Sequence, residues 1–298
     1  MEELYTSCKL CPRKCAINRR IRTGVCGSSN TVKVARASLH YFEEPSISGV
    51  NGSGTIFFSG CNLKCCYCQN KDISGENFGR EITIERLAEI MLELQSKKAH
   101  NINLVTPTHF VPSIIEAIKL AKEKGLNIPI VYNTSGYEDV LTLKLLAPYI
   151  DIYLTDFKYF SNDLGEKFSK CSNYFNIASK ALDEMYRQTG KNKFNKDGLM
   201  TKGILVRCLI LPTLSDDTKK IIEYVYKKYQ DNVYLSIMNQ YTPVTYNKDY
   251  PFLNQTLSAT EYDEVVDYAV DLGIKNAYIQ EGETCSESFI PPFDLEGV

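Results

Sequence analysis

Long hydrophobic runs are missing from this chain of 298 residues. No stretch approaches the ~18 uninterrupted apolar residues that a membrane-crossing helix needs. The opening segment, from Met1 to Cys15, lacks the basic-then-apolar layout of a secretion signal. The expectation is a cytoplasmic protein with no membrane partner. A surplus of either charge is missing too: Lys and Arg number 34, Asp and Glu 36, for a net charge of −2. Broad wrapping of nucleic acid needs a positive face, so nucleic acid is not an expected partner. There is no fixed-period repeat and no low-complexity tract. Apolar residues make up 44% and charged ones 23%, the mix of a folded domain rather than a disordered chain. The length suits one large α/β domain or two small ones.

Cysteine is what the chain has in quantity. There are 11, of which 8 fall within the first 68 residues. Without an export signal a disulfide framework has little use, so clustered thiols point to metal or iron–sulfur ligands. Residues 1–50 differ in composition from the rest and read as a small cysteine-rich metal-binding segment. Residues 51–298 read as the core domain. A bridge rich in Gly and Ser, Ser48 to Gly54, separates the two.

Beyond it, short apolar runs alternate with amphipathic helical patterns. The runs lie at 55–59, 102–106, 128–132, 150–155, 203–211, 233–238 and 276–280. Each is continuous and apolar, as strands buried on both faces should be. Helical spacing follows Thr83 (Ile84, Leu87, Ala88, Met91) and precedes Gly125 (Ile114, Ala117, Ile118, Ala121). It recurs at Ala178 to Met185 and at Ile222 to Tyr229. A last helix opens on a Ser258–Glu261 capping box and stops at Gly273. A shorter helical stretch spans Val140 to Leu146. This alternation, about six times over, demands parallel strands with right-handed crossovers. A full or partial (β/α) barrel and a doubly wound sheet both satisfy it, and both place chemistry at the carboxyl ends of the strands.

Cys61, Cys65 and Cys68 follow the first core strand as Cys-x3-Cys-x2-Cys. Three thiolates in one loop can hold three corners of a cubane cluster that usually takes four. The fourth iron then offers an open coordination position. A structural zinc loop favours four ligands in Cys-x2-Cys pairs, a form this loop lacks.

The loop, with Tyr67 in its aromatic slot, resembles the signature of the radical S-adenosylmethionine (SAM) enzymes. The resemblance runs across most of residues 52–282 and is closest to the pyruvate formate-lyase activating enzyme-like branch. It rests also on Thr106-Pro107-Thr108-His109, Asn133-Thr134-Ser135-Gly136, Asp156-Phe157-Lys158-Tyr159, Arg207 and Met238 to Pro243. The resemblance implies a partial (β/α)6-type TIM barrel with the cysteine-rich segment as an extension. It implies a [4Fe-4S] cluster on Cys61, Cys65 and Cys68, with Cys66 a spectator. It implies oxidoreductase chemistry under anaerobic conditions: reductive cleavage of SAM to methionine and a 5′-deoxyadenosyl radical that takes hydrogen from a substrate. The implied substrate is a glycine of a partner glycyl-radical protein, and the implied electron donor is flavodoxin or ferredoxin. Radical modification of a small molecule or RNA is the alternative within the class. A non-enzymatic iron–sulfur or zinc electron carrier is the alternative outside it.

The same resemblance suggests SAM-binding positions. Tyr67 would lie against the adenine. Asp156 and Lys158, two apart at a strand end, would hold the amine and carboxylate; a structural ion pair is the rival reading. Arg207 offers a fork of donors to a carboxylate, against the rival of pairing with Asp156. Thr106 stands where many relatives carry Gly-Gly-Glu, and its hydroxyl or backbone would replace that grip. Asn133 and Ser135 would reach ribose or substrate, with turn capping as their rival. His109 reads equally as a site residue or a loop residue. No catalytic acid or base is assigned. Cys171, Cys208 and Cys285 read as structural.

Cys8, Cys11, Cys15 and Cys26 supply four thiolates, the number for a closed zinc site, a rubredoxin-like iron or a second cluster. The neighbouring Arg13, Lys14, Arg19, Arg20 and Arg22 read as a contact for an acidic partner or as a solvated basic face.

Overall fold

The computed structural model describes residues 1–280 and 290–298. Cys285 lies outside the described residues. The strands are β1 (Val32–His40), β2 (Ser53–Phe58), β3 (Arg80–Ile82), β4 (Ile102–Val105) and β5 (Ile130–Thr134), then β6 (Ile152–Asp156), β7 (Lys193–Phe194), β8 (Met200–Leu209), β9 (Tyr234–Met238) and β10 (Ala277–Ile279). The helices are α1 (Pro45–Ser48), α2 (Lys71–Ser74), α3 (Ile84–Ser96), α4 (Val111–Glu123) and α5 (Val140–Leu146), then α6 (Asn162–Ser169), α7 (Tyr174–Thr189), α8 (Ser215–Tyr229) and α9 (Ala259–Asp271).

One sheet runs in the order β10-β9-β8-β6-β5-β4-β2-β1-β3. From β2 to β10 every neighbour is parallel, while β1 is antiparallel to both β2 and β3. Among the described residues the two edges do not pair, so the sheet is an unclosed partial barrel. Each apolar run of the core sequence became a parallel strand because both of its faces are covered. Tyr132, Tyr153, Ile204 and Val206 pack outward beneath the helices, while Val131, Ile152, Leu154 and Leu205 pack inward.

The helices formed where the spacing placed them. Thr83 caps α3 by accepting from the Arg86 N–H, and α3 buries Leu87, Ala88, Ile90, Met91 and Leu94. The Ser258–Glu261 box closes the start of α9. Local periodicity did not reveal α1, α2, α6, β1, β3 or β7, most of which are too short to hold a repeat.

The chain before β2 shapes the site. Strand β1 sends the chain into α1, and Ile47 of α1, fully buried, packs on Val131, Ile152, Leu154, Met200 and Leu205. Asn101 at the start of β4 holds the Ile47 carbonyl at 2.8 Å. This short helix is the floor of the barrel. The chain end returns to β1, where Arg36 pairs with Asp294 at 2.6 Å and with Glu296.

Candidate active site

Strand β2 ends at Phe58, and after Ser59 the residue Gly60 turns the chain into the cysteine loop. Gly60 has φ +86, and a Cβ there would lie 2.3 Å from Ser28 Oγ and 2.7 Å from the Cys26 carbonyl. Only glycine fits both demands. The loop then rests on the end of α6: Lys64 N–H donates to Ser169 O (3.0 Å) and Cys66 N–H to Phe168 O (2.8 Å).

Cys61, Cys65 and Cys68 line one cavity of about 220 Å³. Cys66 does not line it. Burial pushes the Cys61 thiol up to about 12, and charge on Cys65 and Cys68 adds to the rise. Burial likewise pushes Cys65 up to about 11, against the pull of Lys158. Two thiols that resist ionisation, Cys61 and Cys65, are made into ligands by a strongly cationic group. The described cysteines are free, with no disulfide among them.

A hydrogen-bonded chain runs from Tyr67 OH to Tyr159 OH (2.5 Å), on to Ser169 Oγ (2.6 Å) and to Cys65 Sγ (2.9 Å). It fixes the Tyr67 ring at the cavity wall, edge-on to Tyr241.

The opposite wall is ionic. Asp156 at the end of β6 holds Lys158 Nζ at 2.7 Å and Arg207 Nε at 2.8 Å. Burial would raise the Asp156 carboxyl, but Arg207 and Lys158 outweigh it and hold it below the usual carboxylate range. Burial would lower Lys158, but Asp156 and then Cys65 raise it. Arg207 extends further, with NH2 donating to Asn133 Oδ1 (2.7 Å) and NH1 to Glu43 Oε2 (3.3 Å). Glu43 Oε1 accepts from Asn103 (3.0 Å) and Asn133 (3.2 Å). Both rival readings of this wall are therefore present in the contacts: Asp156 and Lys158 are an ion pair, and Arg207 pairs with Asp156.

Thr106 and Ser135 also line the cavity. Thr106 has φ +57, a strained setting for a β-branched residue of the kind that clusters at functional sites. His109 faces away from the cavity: it is buried, and its Nε2 donates to the Ser59 carbonyl at 2.7 Å. Burial holds its pKa down to about 3, so the ring is neutral.

Sequence reasoning missed two acids. Glu43 precedes α1, where no periodicity marks it. Glu138 is buried behind the Thr106 to His109 loop and accepts from Thr108 Oγ1 (2.6 Å), Tyr132 OH (3.3 Å) and Thr134 Oγ1. The hydroxyls at the ends of β4 and β5, read as site groups or caps, were the available clue.

Residues 55–225 match the model of the Radical SAM superfamily. The chain belongs to that superfamily. An uncharacterized protein of Methanocaldococcus jannaschii is 31% identical over 278 residues, covering 90% of this chain and 75% of its own. The pyruvate formate-lyase-activating enzyme of Clostridium pasteurianum is 28% identical over 200 residues, 61% of this chain and 72% of its own. Among solved structures, Streptococcus suis SuiB bound to S-adenosylmethionine matches with a TM-score of 0.48 at 12% identity, over 74% of this chain and 48% of that one. The FeFe-hydrogenase maturase HydG of Carboxydothermus hydrogenoformans matches with a TM-score of 0.46 at 14% identity, over 79% of this chain and 59% of that one. The chain spans about half the length of these solved structures.

Radical SAM proteins hold a [4Fe-4S] cluster and SAM, and the residues present fit both. Three thiols open on one cavity, and the cavity also carries paired cations and anions able to meet an amine and a carboxylate. Among the described residues no three His, Cys, Asp or Glu gather tightly enough for one metal ion. A cluster is a larger body and keeps its thiolates further apart.

Proposed function

We propose that this radical SAM enzyme cleaves S-adenosylmethionine reductively and directs the resulting radical at a glycine α-hydrogen of another protein. The observation that carries the first half is the shared cavity: Cys61, Cys65 and Cys68 on one wall, Asp156, Lys158 and Arg207 on the other. When bound and reduced by an external one-electron donor, the cluster would supply one electron to the sulfonium of SAM, whose C5′–S bond would break to give methionine and a 5′-deoxyadenosyl radical.

The chain's own residues bind, orient and shield. Cys61, Cys65 and Cys68 would hold the cluster by three thiolates, one short of the usual four, which would leave a position open to the cofactor. Tyr67, immobilised through Tyr159, offers a flat face to the adenine. Lys158 presents a cation to the methionine carboxylate, and Asp156 an anion to its amine. Arg207, held by three acceptors, keeps Asp156 ionised and aimed. Thr106, with Asn133 and Ser135 beside it, takes the polar remainder of the ligand. Lys158 also lowers the thiol of Cys65, which favours the ligating thiolate.

The protein target is supported by the likeness to a pyruvate formate-lyase-activating enzyme and by the open barrel. The cavity reaches His40 and Phe42 near the open edge, and Phe42 is exposed. A peptide loop could enter there.

The test is anaerobic reconstitution with iron and sulfide, reduction with dithionite and chromatography for 5′-deoxyadenosine. Wild type should form it from SAM, and Cys65→Ala should not. If Cys65→Ala performs like wild type, the cluster assignment is wrong. Deuterium transfer into deoxyadenosine from a glycine-deuterated glycyl-radical protein tests the target; no transfer from such proteins would remove it.

A further inference from the structure

The cysteine-rich segment contains a buried cation with no carboxylate beside it. Arg19 has no exposed surface. Its Nε donates to Ser28 O (3.2 Å), and its two terminal nitrogens donate to His109 O and Ser29 O. The guanidinium lies 4.8 Å from the centre of the Tyr5 ring and 5.6 Å from that of Phe110. Among the described residues no Asp or Glu pairs with it. Carbonyl dipoles solvate such a group, but a permanent charge taken out of water calls for an opposite charge. The contact able to carry one is the Cys8 thiol, whose Sγ is 4.0 Å from Arg19 NH1.

Cys8 has company. Its backbone pairs with the returning chain, Cys8 N–H to Ile17 O and Ala16 N–H to Cys8 O, both 2.9 Å. Between them Lys14 N–H closes a turn on Cys11 O at 3.0 Å. Cys26 sits in a second tight turn, closed by Gly27 N–H on Gly24 O at 2.9 Å. A Cβ on Gly24 would lie 3.4 Å from Cys26 Sγ and 3.9 Å from Cys15 Sγ, so both sulfurs flank the same bare glycine. Charge on Cys26 and on Cys8 reaches the Cys11 thiol, so the four thiols are neighbours, and tight turns that present neighbouring thiols are the framework of a thiolate metal site. As in the Cys61 loop, the thiols stand further apart than a single bound ion requires, so a cubane fits them as they stand and a zinc ion would draw them closer.

We propose that Cys8, Cys11, Cys15 and Cys26 ligate a second metal centre through four thiolates, with Arg19 as its buried counter-ion. Each thiol gives its proton to solvent as its sulfur–metal bond forms, with no change of oxidation state. Four thiolates on zinc, or on an oxidised cubane, leave a net charge of about −2. Either species supplies the anion that Arg19 lacks. The centre also touches the first site: the Cys26 carbonyl accepts from Cys61 N–H at 3.1 Å, and Ser28 Oγ donates to Ser59 O at 3.4 Å. A filled second site therefore braces the backbone of the first ligand.

The inference is independent of SAM cleavage, and its test removes the first cluster. The full chain carrying Cys61→Ala, Cys65→Ala and Cys68→Ala is purified without oxygen. Metal is measured by elemental analysis and visible absorption, and thiols are mapped by iodoacetamide labelling and mass spectrometry. About one zinc, or about four irons with a cluster chromophore, should remain per chain. The four amino-terminal thiols should resist labelling until a chelator or acid is added. Arg19→Gln should release the metal to a chelator about tenfold faster, and Arg19→Lys should restore retention, with circular dichroism reporting the fold of both. Less than about a tenth of an equivalent of metal, with all four thiols labelled at once, would overturn the site. Unchanged metal release in a folded Arg19→Gln protein would overturn the counter-ion.

Discussion

Arg207 meets two carboxylates and an amide oxygen at once, a task that needs the planar fork of a guanidinium. Lysine keeps the charge and loses the fork. Arg207→Lys should therefore lower stability by about 3 kcal/mol, because it leaves Glu43 or Asp156 buried and underpaired; urea unfolding checks this. Glu43→Gln removes one anion from the floor of the cavity and lets Arg207 lean more heavily on Asp156, with Glu44 as the other carboxylate acting on it. The affinity for SAM should fall about tenfold, read by calorimetry on reconstituted protein, because Asp156 is then better neutralised by the protein itself. Glu138 gives a pH signature. Burial, opposed only in part by the Thr108, Thr134 and Tyr132 hydroxyls, pushes it up to about 7; Asp139 adds to the rise. Tyr153 and Cys11 also face it. Its pKa is raised on folding, so its contribution to stability is complete below the unfolded value and is lost as pH rises through about 7. Between about pH 5 and pH 8 the Tm of wild type should fall relative to that of Glu138→Gln. Parallel curves would place Glu138 in its charged form throughout.

Helix α1 is four residues long and could not stand alone. It exists because Ile47 fills the barrel from below. Ile47→Ala should cost about 3 kcal/mol, the usual penalty for a cavity in a tight core, and the loss should be read in thermal unfolding. The Gly60 turn is a different kind of element, one defined by a close approach. Gly60→Ala pushes a methyl into Ser28 and the Cys26 carbonyl and demands a left-handed backbone. Iron incorporation at the Cys61 loop should drop while the circular dichroism of the sheet persists; full iron loading would show that the loop shifts freely.

At the scale of the molecule, the segment before β2 and the chain end are both stitched to the barrel. Tyr5 OH meets Ser113 Oγ of α4 at 3.0 Å, and Arg13 Nε donates to Asn62 O at 2.8 Å. Strand β1 pairs along most of β2, and Ala37 N–H donates to Glu296 O at 2.8 Å. Chains joined by this many buried contacts unfold together. A single calorimetric transition is expected for the apoprotein, and two resolved transitions would make residues 1–50 a unit of their own. None of the described helices is long and apolar enough to cross a membrane.

The order of strands and helices was legible because it is written in local terms. A run of Ile, Val and Leu marks a doubly covered strand, and a 3.6-residue period marks a helix face. The Cys61, Cys65 and Cys68 spacing was equally local, since one loop carries all three thiols. The partners of Asp156, Lys158 and Arg207 could only be guessed. Glu43 lies 164 positions from Arg207, and nothing near either residue in sequence announces the other. Arg19 looked like one basic residue among several, and only packing against Tyr5, Phe110 and His109 made it a buried charge. Composition and periodicity determine which segments seek burial and which loop can grip iron. Which charges then lose their water, and which anion must answer each cation, is decided when distant segments close on one another, because desolvation belongs to the assembled fold and not to any stretch of chain.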